Sequence, residues 1–166
     1  MAALDDKYIV FGAKTECSMG LRESKLVLPA DHGIFIRGKA QMHAKDCVSV
    51  TNVIPFGGCR SAANPSTAAK MASMGAAAVP TISGTFCTPA APAPCAGICT
   101  PVITSVEWED ASEFTDIDDE KALMGRCTLT CAHGGVIKIT DAGQCCRPAF
   151  PVTGETYENT ILPIDS

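Results

Sequence analysis

The chain has 166 residues, 13 basic and 18 acidic side chains and a net charge of −5. This length predicts one domain, and the absence of any basic cluster argues against nucleic-acid binding. Apolar residues make up 46% of the chain but aromatic residues only 5%, so there are few large side chains with which to build a deep core. Ten cysteines offer a second source of constraint, through metal–thiolate bonds or disulfides.

The amino-terminal sequence MAALDDKYIVFGAK lacks the basic and then apolar layout of a signal peptide. No uninterrupted apolar run reaches the ~18 residues that a membrane span requires. We therefore expect cytoplasmic synthesis. Thiols stay reduced in the cytoplasm, which favours metal ligation over a disulfide framework.

The first part of the chain predicts short strands separated by turns. Apolar and β-branched runs of four to six residues alternate with Gly, Pro or Asp at intervals of ~10 residues, which is typical of a small all-β protein. Gly33 and Gly38 bracket one such run in the manner of a hairpin arm. The predicted strands are residues 8–11, 26–28, 34–37 and 48–53.

The middle of the chain changes character at Arg60. Small helix-forming residues predict one short helix around residues 66–75, with Ser66 as a candidate N-cap. Residues 79–101 are rich in Pro, Ala and Gly, and we expect extended or polyproline-like chain there. A long irregular segment in a compact protein is either functional or tied down, and Cys87, Cys95 and Cys99 are available to tie it down.

The last part predicts a strand at residues 102–108, which carries the single tryptophan, and then an acidic, solvated stretch. The sequence CTLTCAHGGVIKITDAGQ follows at residues 127–144. Its glycine pair predicts a turn, and its alternating residues 136–140 predict a strand. Residues 145–166 have few periodic features and form a predicted tail.

The cysteines lack any CxxC pair, so the zinc-ribbon and thioredoxin signatures are absent. Three cysteines instead stand beside glycines at predicted corners, and a repeated glycine–cysteine corner suggests pseudo-threefold construction. A metal site would then collect about one ligand from each corner, in the closed four-coordinate form of structural zinc. The three corner cysteines are Cys17, Cys59 and Cys131.

We predict a structural metal site, with zinc as the metal, from these three thiols and one further ligand. His133 is the first choice for the fourth position. The alternates are Cys87, Cys95, Cys99, His32 and His43. The opposing interpretation is that these cysteines are buried small hydrophobic residues, since free cysteine is among the most buried residue types.

A Cys–His catalytic pair is the enzyme alternative. The nearest pairs in sequence are Cys131 with His133 and Cys47 with His43. No orienting third group or oxyanion site accompanies them, and neither GxxxxGK[ST] nor GxGxxG is present. We therefore expect no enzyme, and a stand-alone zinc-stabilised binding module is the main functional alternative.

The motifs YIVFGAKTECSMG, LPADHGIFIRGKA, NVIPFGGC and CAHGGVIKITDAGQ occur in this order. Together they resemble the PAAR-like proteins of contractile injection systems, in the cysteine-rich branch labelled a domain of unknown function. The resemblance spans about residues 8–144. It implies a single domain over residues 1–166, with a small, conical, mainly β fold, a pseudo-threefold arrangement and a tail at 145–166.

The resemblance also implies a function. Such a protein caps and sharpens a trimeric VgrG-like spike, one copy per spike, in a type VI secretion system or an extracellular phage-tail-like particle. It contacts the target membrane transiently as it pierces it, and effector proteins are further partners. The protein would stay in the cytoplasm until it is assembled, and would then be delivered outside or into the target cell.

In this family a bound metal, usually zinc, commonly holds the tip, mostly through histidines in the better-known members. The present chain has three histidines and ten cysteines, so cysteine would carry most of that role here. The spike-facing base would present strand edges and apolar side chains. Candidates for base or core are Ile34, Ile36, Val48, Val50, Ile137 and Ile139.

Overall fold

The protein is described by a computed structural model that covers residues 3–74, 78–81, 84–87 and 96–145. Short antiparallel strands and one helix make up the described part, which confirms the predicted mainly β class. A 3-10 turn at Leu4–Asp6 comes before them. The elements are β1 (Lys14–Cys17), β2 (Ser24–Lys25), β3 (Phe35–Ile36), β4 (Lys39–Ala40), β5 (Gly58–Cys59), α1 (Pro65–Met74), β6 (Ala78–Thr81), β7 (Gly84–Cys87), β8 (Gly97–Ile98), β9 (Asp116–Ile117), β10 (Glu120–Lys121), β11 (Thr128–Thr130) and β12 (Val136–Asp141).

The largest sheet has four antiparallel strands in the order β11-β12-β1-β2. Its long strand β12 alternates as a half-buried strand should, because Ile137 and Ile139 are buried and Lys138 between them is exposed. This confirms the strand predicted at residues 136–140. Cys17, the last residue of β1, lies opposite Ile137.

Two hairpins, β3–β4 and β9–β10, have the same construction. Their turns have two successive residues with positive φ, Arg37 (54°) and Gly38 (77°) in the first and Asp118 (52°) and Asp119 (64°) in the second. This is the pattern of a type I′ turn, whose twist matches that of the flanking strands. The strand predicted at residues 34–37 is the first arm of this hairpin, shortened to Phe35–Ile36 because Arg37 belongs to the turn.

Three sequence-distant segments, residues 8–10, 41–43 and 122–124, form a closed ring, which we call the three-segment ring. Its central residues Ile9, Met42 and Leu123 are fully buried. The Ile9 N–H donates to the Leu123 carbonyl at 3.0 Å, the Leu123 N–H to the Met42 carbonyl at 3.0 Å, and the Met42 N–H to the Ile9 carbonyl at 2.9 Å. The hydrogen bonds return to their starting segment, as in a threefold arrangement.

Each ring segment ends in the same kind of turn. A backbone N–H donates to the carbonyl three residues earlier, at 3.0 to 3.1 Å. The donor and acceptor pairs are Ala13 with Val10, Asp46 with His43, and Cys127 with Met124. The ring and its turns form a local threefold arrangement, which is built from segments other than the glycine–cysteine corners of the sequence.

The core combines a few large side chains with many sulfur atoms. Trp108 and Phe56 are both 1% exposed, and the Trp108 indole N–H donates to the Asp46 carbonyl at 3.1 Å. Cysteine packs as a small hydrophobic residue, which suits a chain with few aromatics. The buried cysteines are Cys47, Cys59, Cys99, Cys127 and Cys131.

The predicted helix is confirmed as α1, but its capping residue is not the predicted Ser66. The Asn64 carboxamide oxygen accepts the Ser66 N–H at 3.0 Å, and Pro65 occupies the first helical position, which needs no N–H donor. The Ser66 hydroxyl instead accepts the Ile98 N–H at 2.9 Å. The cap therefore lies two residues earlier, and Ser66 connects α1 to β8.

Other strand predictions were wrong. Residues 48–53 form a turn, because the Asn52 side chain accepts the Val48 N–H at 3.1 Å and the Asn52 N–H donates to the Val48 carbonyl at 2.8 Å. Val50 there has φ 65°. The strand predicted at 102–108 is reduced to a single bridge at Ile103. Conversely, β6 and β7 pair as antiparallel strands where we expected polyproline-like chain.

The candidates for base or core divide clearly. Ile137 and Ile139 belong to the core, whereas Ile34, Val48 and Val50 are exposed at the surface. Ile36 is half-buried. The predicted tail beyond residue 145 lies outside the described residues.

Candidate functional site

Four thiols and a histidine face one small cavity near the end of β1. The cavity has a volume of about 10 Å³, roughly the space of one water-sized particle. Apolar side chains and backbone close the rest of it, including Met19, Phe56 and Ile137. The five candidate ligands that line it are Cys17, Cys59, Cys99, Cys131 and His133.

Three strand ends bring these thiols together. Cys17 ends β1, Cys131 follows β11, and Cys59 ends β5. In the antiparallel pair of β5 and β8, Cys59 lies opposite Gly97. Cys99, two residues after Gly97, comes on the same face of this pair as Cys59, and both line the cavity. The cavity thus collects residues that are far apart in sequence, as the corner pattern predicted.

Cys17 and Cys131 occupy equivalent positions in the repeated construction. The Gly20 N–H donates to the Cys17 carbonyl at 2.9 Å, and the Gly134 N–H donates to the Cys131 carbonyl at 2.9 Å. Each cysteine therefore opens a turn that a glycine closes three residues later.

A second glycine of the last corner lets the backbone approach the cavity. A Cβ added at Gly135 would lie 2.6 Å from Cys17 Sγ, well inside the ~3.5–4.0 Å of an ordinary contact between carbon atoms. Gly20 is constrained similarly, because its Cβ would lie 2.6 Å from the Phe56 Cβ. The glycines at these corners are required by close packing around the thiols.

Backbone N–H groups point at the cavity sulfur atoms. The Phe56 N–H donates to Cys99 Sγ at 3.3 Å, and the Val102 N–H donates to Cys131 Sγ at 3.5 Å. The backbone N–H groups of Met19 and Gly20 also hydrogen-bond to the Cys17 sulfur atom, and this lowers the pKa of its thiol. Such donors stabilise the thiolate, which is the form that binds a metal.

Burial and neighbouring thiols nevertheless favour the neutral form of two cavity thiols, Cys17 and Cys99. The pKa of Cys17 is raised to about 11, first by burial and to a smaller extent by the nearby Cys131 and Cys99. Burial also raises the pKa of Cys99, with the thiols of Cys59 and Cys131 adding to the effect. A cation is the partner that would allow several of these thiols to ionise together.

The donor set fits zinc, which takes thiolate sulfur at ~2.3 Å and imidazole nitrogen at ~2.0–2.1 Å. Within the described ranges, no three of the cavity thiols have their sulfur atoms within 4.8 Å of one another. The thiols would therefore draw inward around an ion, into a cavity that has the required volume.

The predicted ligands divide into two groups. Cys17, Cys59, Cys131 and His133 meet at the cavity, and the alternate Cys99 joins them. His32 and His43 do not reach it and lie together at a different place, beside Asp46. The Cys87 side chain and Cys95 lie outside the described residues.

Sequence analysis missed Asp46 as a functional candidate. Its signal was the spacing His43-x-x-Asp46, which a turn converts into a contact between the two side chains. Cys47 and Cys127 are buried away from the cavity, and burial raises the pKa of both thiols.

These features define a small, mainly β protein with a three-segment ring and a separate cysteine-lined cavity. The chain matches the family model described as Domain of unknown function (DUF4280) over residues 9–144. It therefore belongs to that family. No curated protein and no solved structure matched the chain. In the part of the chain that the structure describes, no helix is long and apolar enough to cross a membrane.

Proposed function

We propose that the protein is a spike-tip protein that caps a trimeric VgrG-like spike of a contractile injection system. The observation that carries this proposal is the three-segment ring. A single chain that sits on a threefold partner faces a symmetry mismatch. A ring of three similar backbone segments relieves that mismatch, because it offers the partner three similar corners.

The ring and the cavity lie at different ends of the same strands. The Val10 N–H at the ring donates to the Ala142 carbonyl just after β12, and Gly135 just before β12 lies against Cys17 Sγ. At ~3.3 Å per residue, the strand separates the two ends by roughly 20 Å. The ring end is the proposed base, and the cavity end is the proposed tip.

A structural zinc ion at the cavity would suit a tip that must stay folded under force. Cys17, Cys59, Cys99 and Cys131 would hold it, with His133 available as a substitute ligand. Metal–ligand bonds would join strand ends that are distant in sequence, which stabilises a small core where apolar burial is limited.

The ring end also offers apolar side chains for docking. Phe11, in the turn after the first ring segment, is 44% exposed, and Phe35 in the adjoining hairpin is 45% exposed. The two aromatics are connected through Ala40, whose carbonyl accepts the Phe11 N–H at 2.8 Å and which pairs with Phe35. Exposed aromatics are enriched in protein interfaces.

Co-purification with a trimeric VgrG-like spike protein from the same source tests the proposal. We expect a complex with one copy of the chain per spike trimer. Phe11→Glu should weaken the complex, because it places a charge in the docking surface. Ile98→Glu is the matched control, since Ile98 is 74% exposed at the cavity end, and it should leave the complex intact.

Failure of the unmodified chain to bind that spike would overturn the proposal and favour a stand-alone zinc-stabilised module. A Cys–His enzyme is the weaker alternative. The raised pKa of Cys47, caused first by burial and then by the charge of Asp46, is the opposite of what an activated nucleophile needs.

A further inference from the structure

We propose that His32, His43 and Asp46 form a second metal site, distinct from the cysteine-lined cavity, that takes a divalent ion of the zinc type. This inference goes beyond the proposed function and does not depend on it. One ligand atom from each of the three residues lies within 4.8 Å of the other two. Among the described residues, no other group of three His, Cys, Asp or Glu side chains meets this criterion.

The distances already suit a shared ion. His32 Nε2 lies 3.0 Å from Asp46 Oδ2, and His43 Nδ1 lies 3.4 Å from the same oxygen. Ligands held at ~2.0–2.2 Å from one zinc ion are separated by roughly 3.0–3.5 Å when the arrangement is tetrahedral or nearly so. The pocket could therefore accept an ion with small side-chain shifts.

The second, independent observation is an unpartnered nitrogen. His43 is 9% exposed, and its Nδ1 is buried without a hydrogen bond. It is close enough to Asp46 to count as an ion-pair contact, but the geometry is not that of a hydrogen bond. A buried ring nitrogen without a hydrogen bond is unfavourable, and a cation between it and the carboxylate would supply the missing partner.

The surroundings orient all three ligands. The His32 and His43 rings stack with their centroids 3.9 Å apart. The backbone N–H of His43 donates to Asp46 Oδ2 at 2.9 Å, and the backbone carbonyl of Asp46 accepts the Trp108 indole N–H at 3.1 Å. Such outer contacts hold ligands in place at established metal sites. Two imidazoles and one carboxylate suit zinc and similar transition-metal ions better than magnesium or calcium.

The site is also confined to one corner of the three-segment ring. His43 and Asp46 begin and end the turn after the second ring segment. The equivalent pairs after the other two segments are apolar, Val10 with Ala13 and Met124 with Cys127. The ring repeat therefore does not explain why polar residues occupy these two positions. A role in binding a metal ion would explain them.

Titration with Co²⁺ separates the two sites, because thiolate ligands give intense sulfur-to-cobalt charge-transfer absorption and His/Asp ligands do not. We expect the reduced, metal-free chain to bind one equivalent with that absorption and a second without it. His32→Gln should abolish binding of the second equivalent and leave the first unchanged. The affinity for the second Co²⁺ should fall by more than the roughly 10–100-fold that loss of an outer-shell partner costs. His133→Gln is the matched histidine control and should leave the second equivalent unchanged.

Unchanged binding of the second equivalent in both His32→Gln and His43→Gln would overturn the proposal, as would a wild-type chain that binds no ion outside the thiols. NMR signals of the histidine rings in the wild-type chain test the same site without a substitution. Zn²⁺ should shift the His32 and His43 signals, and a titration that leaves both unmoved refutes the site.

Discussion

Replacement of Gly135 by alanine should selectively damage metal binding at the cysteine-lined cavity. The added Cβ would lie 2.6 Å from Cys17 Sγ and 3.4 Å from the Met19 Cγ. An ordinary nonbonded contact is ~3.5–4.0 Å, so the sulfur atom must move by about 1 Å. The backbone at Gly135 cannot move freely, because its carbonyl accepts the Cys131 N–H at 2.8 Å.

Because the thiols have to draw inward to hold an ion, a Cβ beside Cys17 Sγ opposes that movement, and a metal–ligand bond tolerates only about ±0.2 Å around its usual length. We therefore expect Gly135→Ala to lose Cys17 as a ligand and to bind zinc at least ~100-fold more weakly, equivalent to about 2.7 kcal/mol. The metal-free fold should lose about 1–3 kcal/mol, as is usual for an overpacked core.

Competition with a chromophoric zinc chelator measures the affinity, and urea unfolding with and without zinc measures the two stabilities. Gly12→Ala is the matched control. Its Cβ meets nothing within 4 Å, although φ is +82°, so it should cost about 1–2 kcal/mol of backbone strain and leave zinc affinity unchanged. If Gly135→Ala binds zinc as tightly as the unmodified chain, Cys17 is not a ligand.

Three further predictions concern the thiols and the ring. Cys131→Ser should lower the metal content of the purified chain, whereas Cys127→Ser, also buried but outside the cavity, should keep it; equal metal content in both would contradict the ligand assignment. In the metal-free reduced chain, folding favours the neutral Cys17 thiol, since burial raises its pKa from 9.0 to about 11. The resulting contribution to the free energy of unfolding is fully present below pH ~9 and is lost as the pH rises towards ~11. The urea midpoint should therefore fall over that pH range, and Cys17→Ser should reduce the fall. Leu123→Ala should lower the free energy of unfolding by about 2–5 kcal/mol. The control Val106→Ala changes a side chain that is 82% exposed and should alter that free energy by less than ~0.5 kcal/mol. Similar losses in the two variants would show that the ring is not part of the core.

The elements that were predicted from sequence depend on local chemistry. The strand at residues 136–140 has a clear alternation, and the hairpin arm that follows Gly33 is marked by Gly38, which forms part of its turn. The helix was predicted from the propensity of its small residues. Its cap was placed wrongly because both Asn64 and Ser66 are capping residues, and tertiary contact with β8 decided between them.

The features that were missed depend on contacts between distant segments. Each ring segment is about three residues long, and the hydrogen bonds between segments join residues roughly 30 to 110 positions apart in the sequence. A local sequence pattern therefore cannot predict the ring. The run at 48–53 has strand composition, but Asn52 bonds its own neighbourhood and turns the chain.

The candidate site was predicted in part for the same reason. Glycine beside Cys17, Cys59 and Cys131 marked the corners, whereas Cys99 reaches the cavity through the pairing of β5 with β8. That pairing has no signature in the Pro- and Ala-rich sequence before it.

The three-segment ring also constrains the order of events in folding. Its first two segments come from the first part of the chain, but the third follows roughly 80 residues later. Two of the three interstrand hydrogen bonds involve that last segment, so the ring cannot close during synthesis until residues 122–124 have emerged. Formation of such long-range contacts is slow. Refolding should therefore proceed through a late, cooperative closure step, and a chain truncated before residue 122 should leave the other two segments without a stable arrangement.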